Sequence, residues 1–224
     1  IIGKTAQLEL YDLEANLAPP SIDALRQPVP KSSVYDLLAG QQALAAKGTP
    51  EQFWLFDKDK KLVVGPVTTK EAALAKFGGE VPDGHKLFAV PPGTVVVSCG
   101  IGEVVCPGVQ QANPTSNYYY LFKRSPPDVP EMTGSDLKLS GTRQDFDTQT
   151  QSPIVTMQFT KAGAKKFAEI TRREAQRGKL LSNTIGQGQK IEQHFAIVLD
   201  REIKSWPSID WEEYPGGISG SNGA

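Results

Sequence analysis

The sequence contains few of the residues from which metal sites and disulfide scaffolds are built. Only two histidines and two cysteines occur among its 224 residues, whereas closed zinc sites usually draw on clustered Cys and His pairs at short spacings. His85 lies in a turn pattern, and His194 lies in a strand pattern far from Cys99 in the sequence. The sequence therefore predicts no metal site and no cofactor.

An excess of charge of one sign is also missing. Lysine and arginine total 24, aspartate and glutamate total 25, and the formal net charge is -1. Proteins dedicated to nucleic-acid binding usually carry a basic face or a basic pI, so no nucleic-acid partner is expected.

No run of about 20 apolar residues occurs either, so no segment of this chain is expected to span a membrane. The chain starts with Ile1-Ile2-Gly3, without a signal-peptide pattern, and we expect it to be a piece of a longer protein.

Signatures of catalysis are almost absent. No G-x-S-x-G nucleophile elbow is present, and Ser135-Asp-Leu-Lys138 alone satisfies S-x-x-K, the acyl-enzyme signature of penicillin-binding proteins. No K-T-G motif follows it. We expect instead that Thr133 or Ser135 starts a helical turn after a proline-rich segment. The prediction is a protein that is not an enzyme, with an S-x-x-K acyl transferase as the alternative.

The two cysteines lie close together in the sequence. Cys99 and Cys106 flank a glycine-containing segment that is followed directly by Pro107. These residues alone leave two alternatives, a local disulfide in an oxidising compartment or two free thiols in a reducing one.

Hydrophobic periodicity predicts helices and strands along the whole chain. Strands are predicted over 5–11, 53–56, 62–64, 86–90, 94–98, 118–122 and 152–160, and a hairpin over 193–206. Helices are predicted over 33–47, 69–77 and 161–177, ended by Gly48, Gly78 and Gly178. This order favours an α+β fold, a mostly antiparallel sheet with packed helices. The proline-rich segment 125–130 is the best candidate for a domain boundary.

Several sequence blocks stand in the order found in one known family. They are 133–137 (TGSDL), 144–147 (QDFD), 153–171 (PIVTMQFTKAGAKKFAEIT) and 194–209 (HFAIVLDREIKSWPSI). Together with the opening block 2–10 they resemble SecD, a membrane subunit that assists the bacterial Sec protein-export channel. The ordered match is far more specific than a four-residue motif.

The resemblance implies a domain organisation. Residues 1–13 would hold a strand of the base region of the first large extracytoplasmic domain, and 131–218 would form its mobile head. Residues 219–224 would be a disordered or tag-derived tail. Residues 14–130 do not resemble the family and are interpreted as a lineage-specific α+β expansion. Two departures stand out: Arg201 replaces a usual glycine, and Trp206 replaces a small residue before Pro207.

The resemblance also implies a function. The head would bind unfolded preprotein transiently as it emerges from the channel, and its movement, coupled to the proton gradient, would favour export. SecF and the SecYEG channel would be partners through the full-length protein. The full-length protein would lie in the inner membrane, with this domain on the extracytoplasmic side. Besides the acyl transferase, a further alternative is that the expanded middle is a protein–protein adaptor for another envelope component, with no direct preprotein contact.

Residue roles follow from that implied function. A sequence-tolerant receptor for extended polypeptide needs an available strand edge or an apolar groove. The hairpin 193–206 would offer both, with Phe195, Ile203 and Trp206 as anchors; the alternative for Phe195 and Ile203 is plain core packing. The oxidising side of the membrane, implied by the resemblance, favours a Cys99–Cys106 disulfide.

Overall fold

The computed structural model describes residues 7–100, 105–110, 116–138, 140, 143–146, 153–187 and 189–219. The chain forms two compact units. One is continuous and comprises Asn16–Ser125. The other, the discontinuous unit, is assembled from Ile1–Ala15 and Pro126–Ala224. The predicted blocks 1–13, 14–130 and 131–218 have similar limits, but their assignment to a base strand, an expansion and a head stays a prediction.

Both units contain helices and strands. The described strands are β1 (Leu8–Asp12), β2 (Phe53–Phe56), β3 (Leu62–Val67), β4 (Lys86–Ala89), β5 (Thr94–Cys99), β6 (Tyr118–Lys123), β7 (Met132–Thr133), β8 (Arg143–Phe146), β9 (Pro153–Thr156), β10 (Gln193–Leu199), β11 (Glu202–Ser205) and β12 (Ser208–Ile209). The helices are α1 (Leu13–Asn16), α2 (Val34–Ala39), α3 (Gln42–Ala45), α4 (Lys70–Leu74) and α5 (Lys161–Thr184), with 3₁₀ turns at Ala75–Phe77 and Gly134–Asp136. The predicted α+β class is confirmed.

The discontinuous unit is an antiparallel sheet covered by α5. Its strand order is β7-β1-β10-β11, and β12 also pairs with β10. Leu10 and Met132 from the sheet pack against Phe167 and Ile170 of α5. The Phe167 ring stacks on Phe159 and meets Phe195 edge-on, at centroid distances of 4.7 and 5.4 Å. The strand predicted to belong to a base region is therefore a central strand of this unit.

The helix α5 begins where the sequence predicts and ends later. The Thr160 side chain accepts a hydrogen bond from the Gly163 N–H, which makes Thr160 the N-cap. The predicted stop at Gly178 is wrong, because α5 continues to Thr184. Gly178 is required for another reason: a Cβ there would lie 2.8 Å from the Ile191 carbonyl oxygen. The glycine lets α5 approach the segment that precedes β10.

The predicted helix 33–47 is two short helices instead of one. Ser33 caps α2 as predicted, but α2 ends at Ala39. The Gln42 side-chain amide donates to the Leu38 and Ala89 carbonyls and accepts from the Ala89 N–H. Gly40 lowers helix propensity at this point, and these bonds anchor the start of α3 to β4. The contact between Gln42 and Ala89 cannot be predicted from the local sequence pattern.

The continuous unit places packed clusters on the two faces of β2. Trp54 and Phe56 point into one cluster with Tyr35 and Phe88, while Leu55 joins α4 in the other. This alternation is the period-two pattern of a strand that is buried on both faces. β2 lies between β3 and β4, and the predicted strands over 53–56 and 62–64 form an antiparallel pair. The remaining described strands of this unit, β5 and β6, pair with each other in antiparallel fashion.

The turn between β10 and β11 explains how arginine replaces a glycine. Asp200 and Arg201 have φ angles of 50° and 68°, the left-handed conformation of a tight hairpin turn. Arg201 donates to Glu9 at 2.7 Å, and Glu9 is buried beside the Tyr11 hydroxyl. This ion pair to a neighbouring strand offsets part of the backbone cost that glycine would avoid.

The two cysteines are joined at the end of β5. The Cα atoms of Cys99 and Cys106 are 5.8 Å apart, within the usual range for a disulfide. Both residues are buried, and the Tyr120 hydroxyl donates to the Pro107 carbonyl beside them at 2.6 Å. The loop closed by the bond is short, so the chain-entropy estimate of its stabilisation is only about 2.5 kcal/mol.

Replacing Gly178 by alanine tests the close approach of α5. We expect Gly178→Ala to lower the free energy of unfolding by about 1–3 kcal/mol, because the new methyl group overpacks against backbone. Gly216→Ala is the matched control, since a Cβ there meets nothing within 4 Å. Urea titrations of both variants measure the difference, and equal stabilities would contradict the packing role.

The disulfide is tested by alkylation and mass measurement. We expect the unfolded, unreduced chain to take up no alkyl group and the reduced chain to take up two. Two alkyl groups added without reductant would show that the native protein carries free thiols.

Candidate functional site

Two of the three predicted peptide anchors lie in the core. Phe195 and Ile203 are 5% and 2% exposed, respectively. β10 also has neighbours on both sides along 197–199, where it pairs with β1 and β11, so an added polypeptide cannot pair with it there. Trp206 is half-buried and reaches the surface. Of the three residues, Trp206 is the one whose side chain can contact a partner.

Behind Trp206 a line of contacts leads into the protein. The Trp206 ring lies 4.8 Å from the His194 ring, measured between centroids. His194 Nδ1 is 2.6 Å from Glu14 Oε1, and the His194 N–H donates to Glu14 Oε2 at 3.0 Å. Glu14 is buried. The aromatic surface is therefore backed by a histidine that a buried carboxyl group orients.

Next to Glu14, Arg177 joins three elements. Its two terminal nitrogens donate to the two Asp12 carboxylate oxygens at 2.9 and 2.5 Å, the bidentate geometry in which Arg–carboxylate pairs are strongest. Its Nε donates to Gln193 Oε1, and a terminal nitrogen lies 3.7 Å from Glu14. Arg177 thus connects α5 to the ends of β1 and β10.

Glu174, one turn before Arg177, completes what we call the buried acidic cluster: Asp12, Glu14, Glu131, Glu174 and Arg177. The Glu174 side chain is fully buried, and its two carboxyl oxygens have no hydrogen-bond partner among the described residues. Burial raises the pKa of Glu174 well above its usual value, and the Asp12, Glu14 and Glu131 carboxylates raise it further. Arg177 opposes these effects only in part.

The S-x-x-K motif has a structural role in the described part of the chain. The predicted helical turn is confirmed as the 3₁₀ turn Gly134–Asp136, where Asp136 accepts from the Thr133 N–H at 3.0 Å. The Ser135 hydroxyl lies 2.8 Å from the Thr133 hydroxyl, and Lys166 donates to Asp136 at 3.1 Å. These are the contacts of a capped turn that is fastened to α5.

Metal-ligand geometry was not found in the described ranges. No group of three or more His, Cys, Asp or Glu residues there could hold a metal ion. His85 lies in a turn as predicted, with Nδ1 at 3.1 Å from the Asp83 carbonyl oxygen.

The buried acidic cluster was missed by the sequence analysis, although α5 carried a signal for it. Phe167, Thr171, Glu174 and Gly178 follow one another at spacings of three and four, so they share the buried face of the helix. Arg177 reads in sequence as a cation near a helix end, yet α5 continues beyond it. Nothing local pairs Arg177 with Asp12, which lies 165 residues away in the chain.

Comparison with known proteins gives one family. The family model described as "SecDF, P1 head subdomain" matches residues 109–223. A "Protein translocase subunit SecD" from Streptomyces coelicolor is 45% identical over 80 residues, which are 34% of this chain and 12% of that protein. One of the same name from Acidaminococcus fermentans is 36% identical over 96 residues, 42% of this chain and 18% of that protein. No solved structure matches the chain.

The extent of these matches bears on the two units. The match of the family model begins at residue 109, inside the segment 14–130 interpreted as an expansion, and it includes β6. The aligned part of the chain spans less than a fifth of each curated relative. Within the ranges that the structure describes, no helix has the length and apolar character needed to cross a membrane.

Removing Arg177 tests the buried acidic cluster. We expect Arg177→Met to lower the free energy of unfolding by about 3–5 kcal/mol, because Asp12 would stay buried without its partner. Arg172→Met is the control, since Arg172 lies exposed on the same helix and its loss should cost less than about 0.5 kcal/mol. Denaturant titration compares the two variants. Similar losses of stability would mean that the Arg177–Asp12 ion pair stabilises the fold no more than an exposed arginine does.

Proposed function

Since the chain belongs to the SecDF P1 head subdomain family, we propose that its discontinuous unit contacts unfolded preprotein on the extracytoplasmic side of the bacterial inner membrane. The family match is the observation that carries this proposal. The contact is transient, and movement of the head biases the preprotein outward. In the full-length protein the partners are SecF and the SecYEG channel, and the proton gradient supplies the free energy.

The surface at Trp206 supports the proposed contact. Trp206 and the exposed Pro207 follow β11 directly, and together they offer an apolar surface that is not specific for one sequence. Aromatic rings bury a large area with little loss of side-chain entropy. His194 lies against the Trp206 ring and is held by Glu14. The ring is therefore supported from behind, while Phe195 and Ile203 keep the hairpin packed.

The same function favours weak binding. A protein that releases polypeptide in each cycle holds it with dissociation constants on the order of 10 μM or weaker. One half-buried indole with an exposed proline beside it fits such an affinity better than a deep apolar groove would. The absence of catalysis in this proposal agrees with the relatives, which are named as translocase subunits.

The continuous unit supports a second candidate function, an adaptor for another envelope protein. β3 is an edge strand of its three-stranded sheet, and Leu62 and Val63 on it are 50% and 41% exposed. An edge strand with exposed apolar side chains can pair with a strand of a partner. Capture of an envelope protein by the whole chain, lost on deletion of 16–125, would favour this candidate over direct preprotein contact.

Photocrosslinking to an unfolded, signal-less polypeptide tests the site at Trp206. We expect Trp206→Ala to reduce crosslinking to the 224-residue chain several-fold, because the main apolar contact is lost. Tyr214→Ala is the matched control, since Tyr214 is an exposed aromatic residue of the same unit. Crosslinking that Trp206→Ala leaves unchanged would show that the hairpin is not the site.

A further inference from the structure

The charges around Glu174 do not balance if every group is ionised. Asp12 on β1, Glu14 on α1 and Glu131 before β7 supply three carboxylates beside it. Arg177 is the cation inside the cluster, while Arg173 reaches Glu131 only from the surface, at 3.9 Å. His194 on β10 faces Glu14. A fourth negative charge on Glu174 would therefore lie among three others, with one half-buried cation, Arg177, nearby.

Within the described part of the chain, Arg177 makes no hydrogen bond to Glu174. Its nitrogens are directed at both Asp12 oxygens and at Gln193, with Glu14 as a further neighbour. Both Glu174 oxygens are left buried without a hydrogen-bond partner in the described part of the chain. An ionised carboxylate in such a position costs several kcal/mol, whereas the neutral acid costs far less.

We propose that Glu174 is a buried proton-binding site, and that loss of its proton weakens the packing of α5 against β1 and β10. The ligand is a proton and not a metal ion. The folded discontinuous unit holds this proton at neutral pH, and it releases the proton either at alkaline pH or when α5 lifts away from the sheet. This goes beyond the proposed polypeptide contact and does not depend on it.

The direction of the pH dependence follows from proton linkage. In the unfolded chain the pKa of Glu174 is about 4.3, and in the folded chain it lies well above its usual value because of burial. The stabilisation from this group is therefore complete below pH of about 4.3 and is lost as the pH rises through the folded pKa. Between the two values, each pH unit raises the unfolding equilibrium constant about tenfold.

Glu174→Gln isolates this group from all the others. Glutamine keeps the shape of the neutral acid and cannot ionise. We expect Glu174→Gln to equal or exceed the wild-type stability at pH 8, and to lose this advantage toward pH 5. Glu169→Gln on the exposed face of the same helix is the control and should follow the wild type. Urea titrations of the 224-residue chain between pH 5 and 9 give the comparison.

A stability difference between wild type and Glu174→Gln that stays constant over this range would overturn the proposal. A direct measurement does not need the variant to fold. The side-chain ¹³C resonance of Glu174 in the wild-type chain should have the chemical shift of a protonated acid at pH 7, and a carboxylate shift there would also overturn it. So would stabilisation by Ca²⁺ or Na⁺ at pH 8 that Glu174→Gln abolishes, since the ligand would then be a metal ion.

Discussion

The ion pair between Arg177 and Asp12 links the two segments from which the discontinuous unit is assembled. Asp12 lies before the continuous unit in sequence and Arg177 lies after it, 165 residues later. Closing a chain over that separation carries an entropy cost that the contacts must exceed. Five β1–β10 residue pairs and the packing of Leu10 under α5 help to meet this cost. The guanidinium group fixes where α5 stands on the completed sheet.

Two ion pairs also define the register of β1. Asp12 shares the face of Leu8 and Leu10 and meets α5, whereas Glu9 points to the other face and meets Arg201. A slip of one residue would turn Leu8 and Leu10 away from the core and separate both pairs at once. Burying a charge costs free energy. This cost is larger in the shifted register, where the charges lose their partners, than in the native register, where they are paired. Because Glu174 is neutral, it can be buried in the same region without adding another negative charge.

Local signals in the sequence were sufficient for much of the fold. Ser33, Thr69 and Thr160 each cap a helix because a side-chain oxygen near the first turn is enough to begin one. The hairpin 193–206 needed only two apolar runs and a short polar turn. Gly178 shows the limit of local signals. Glycine usually ends a helix, but it can also permit close packing inside one. The contact with Ile191 decides between these roles, and it is a tertiary contact.

The candidate site was less predictable for the same reason. Trp206 could be singled out because a large apolar residue before Pro207 is visible in the sequence, but burial of Phe195 and Ile203 depends on the packing of α5 and of the sheet. Asp12, Glu14 and Arg177 each look like ordinary surface charges until the fold brings them together. Only the burial of Glu174 could have been predicted from the sequence, since its spacing from Phe167 places it on the buried side of α5.

The antiparallel pairing of β1 with β10 has a mechanical consequence. The N-terminal end of β1 lies beside Leu199, while β12 pairs with the opposite end of β10, at Gln193 and His194. Tension applied between residues 7 and 210 would therefore pull β1 and β10 past each other along their length. The five residue pairs of the β1–β10 ladder would bear that load together and not one after another. The discontinuous unit is thus built to resist stretching along its strands, while the same ladder would open far more easily if it were peeled from one end.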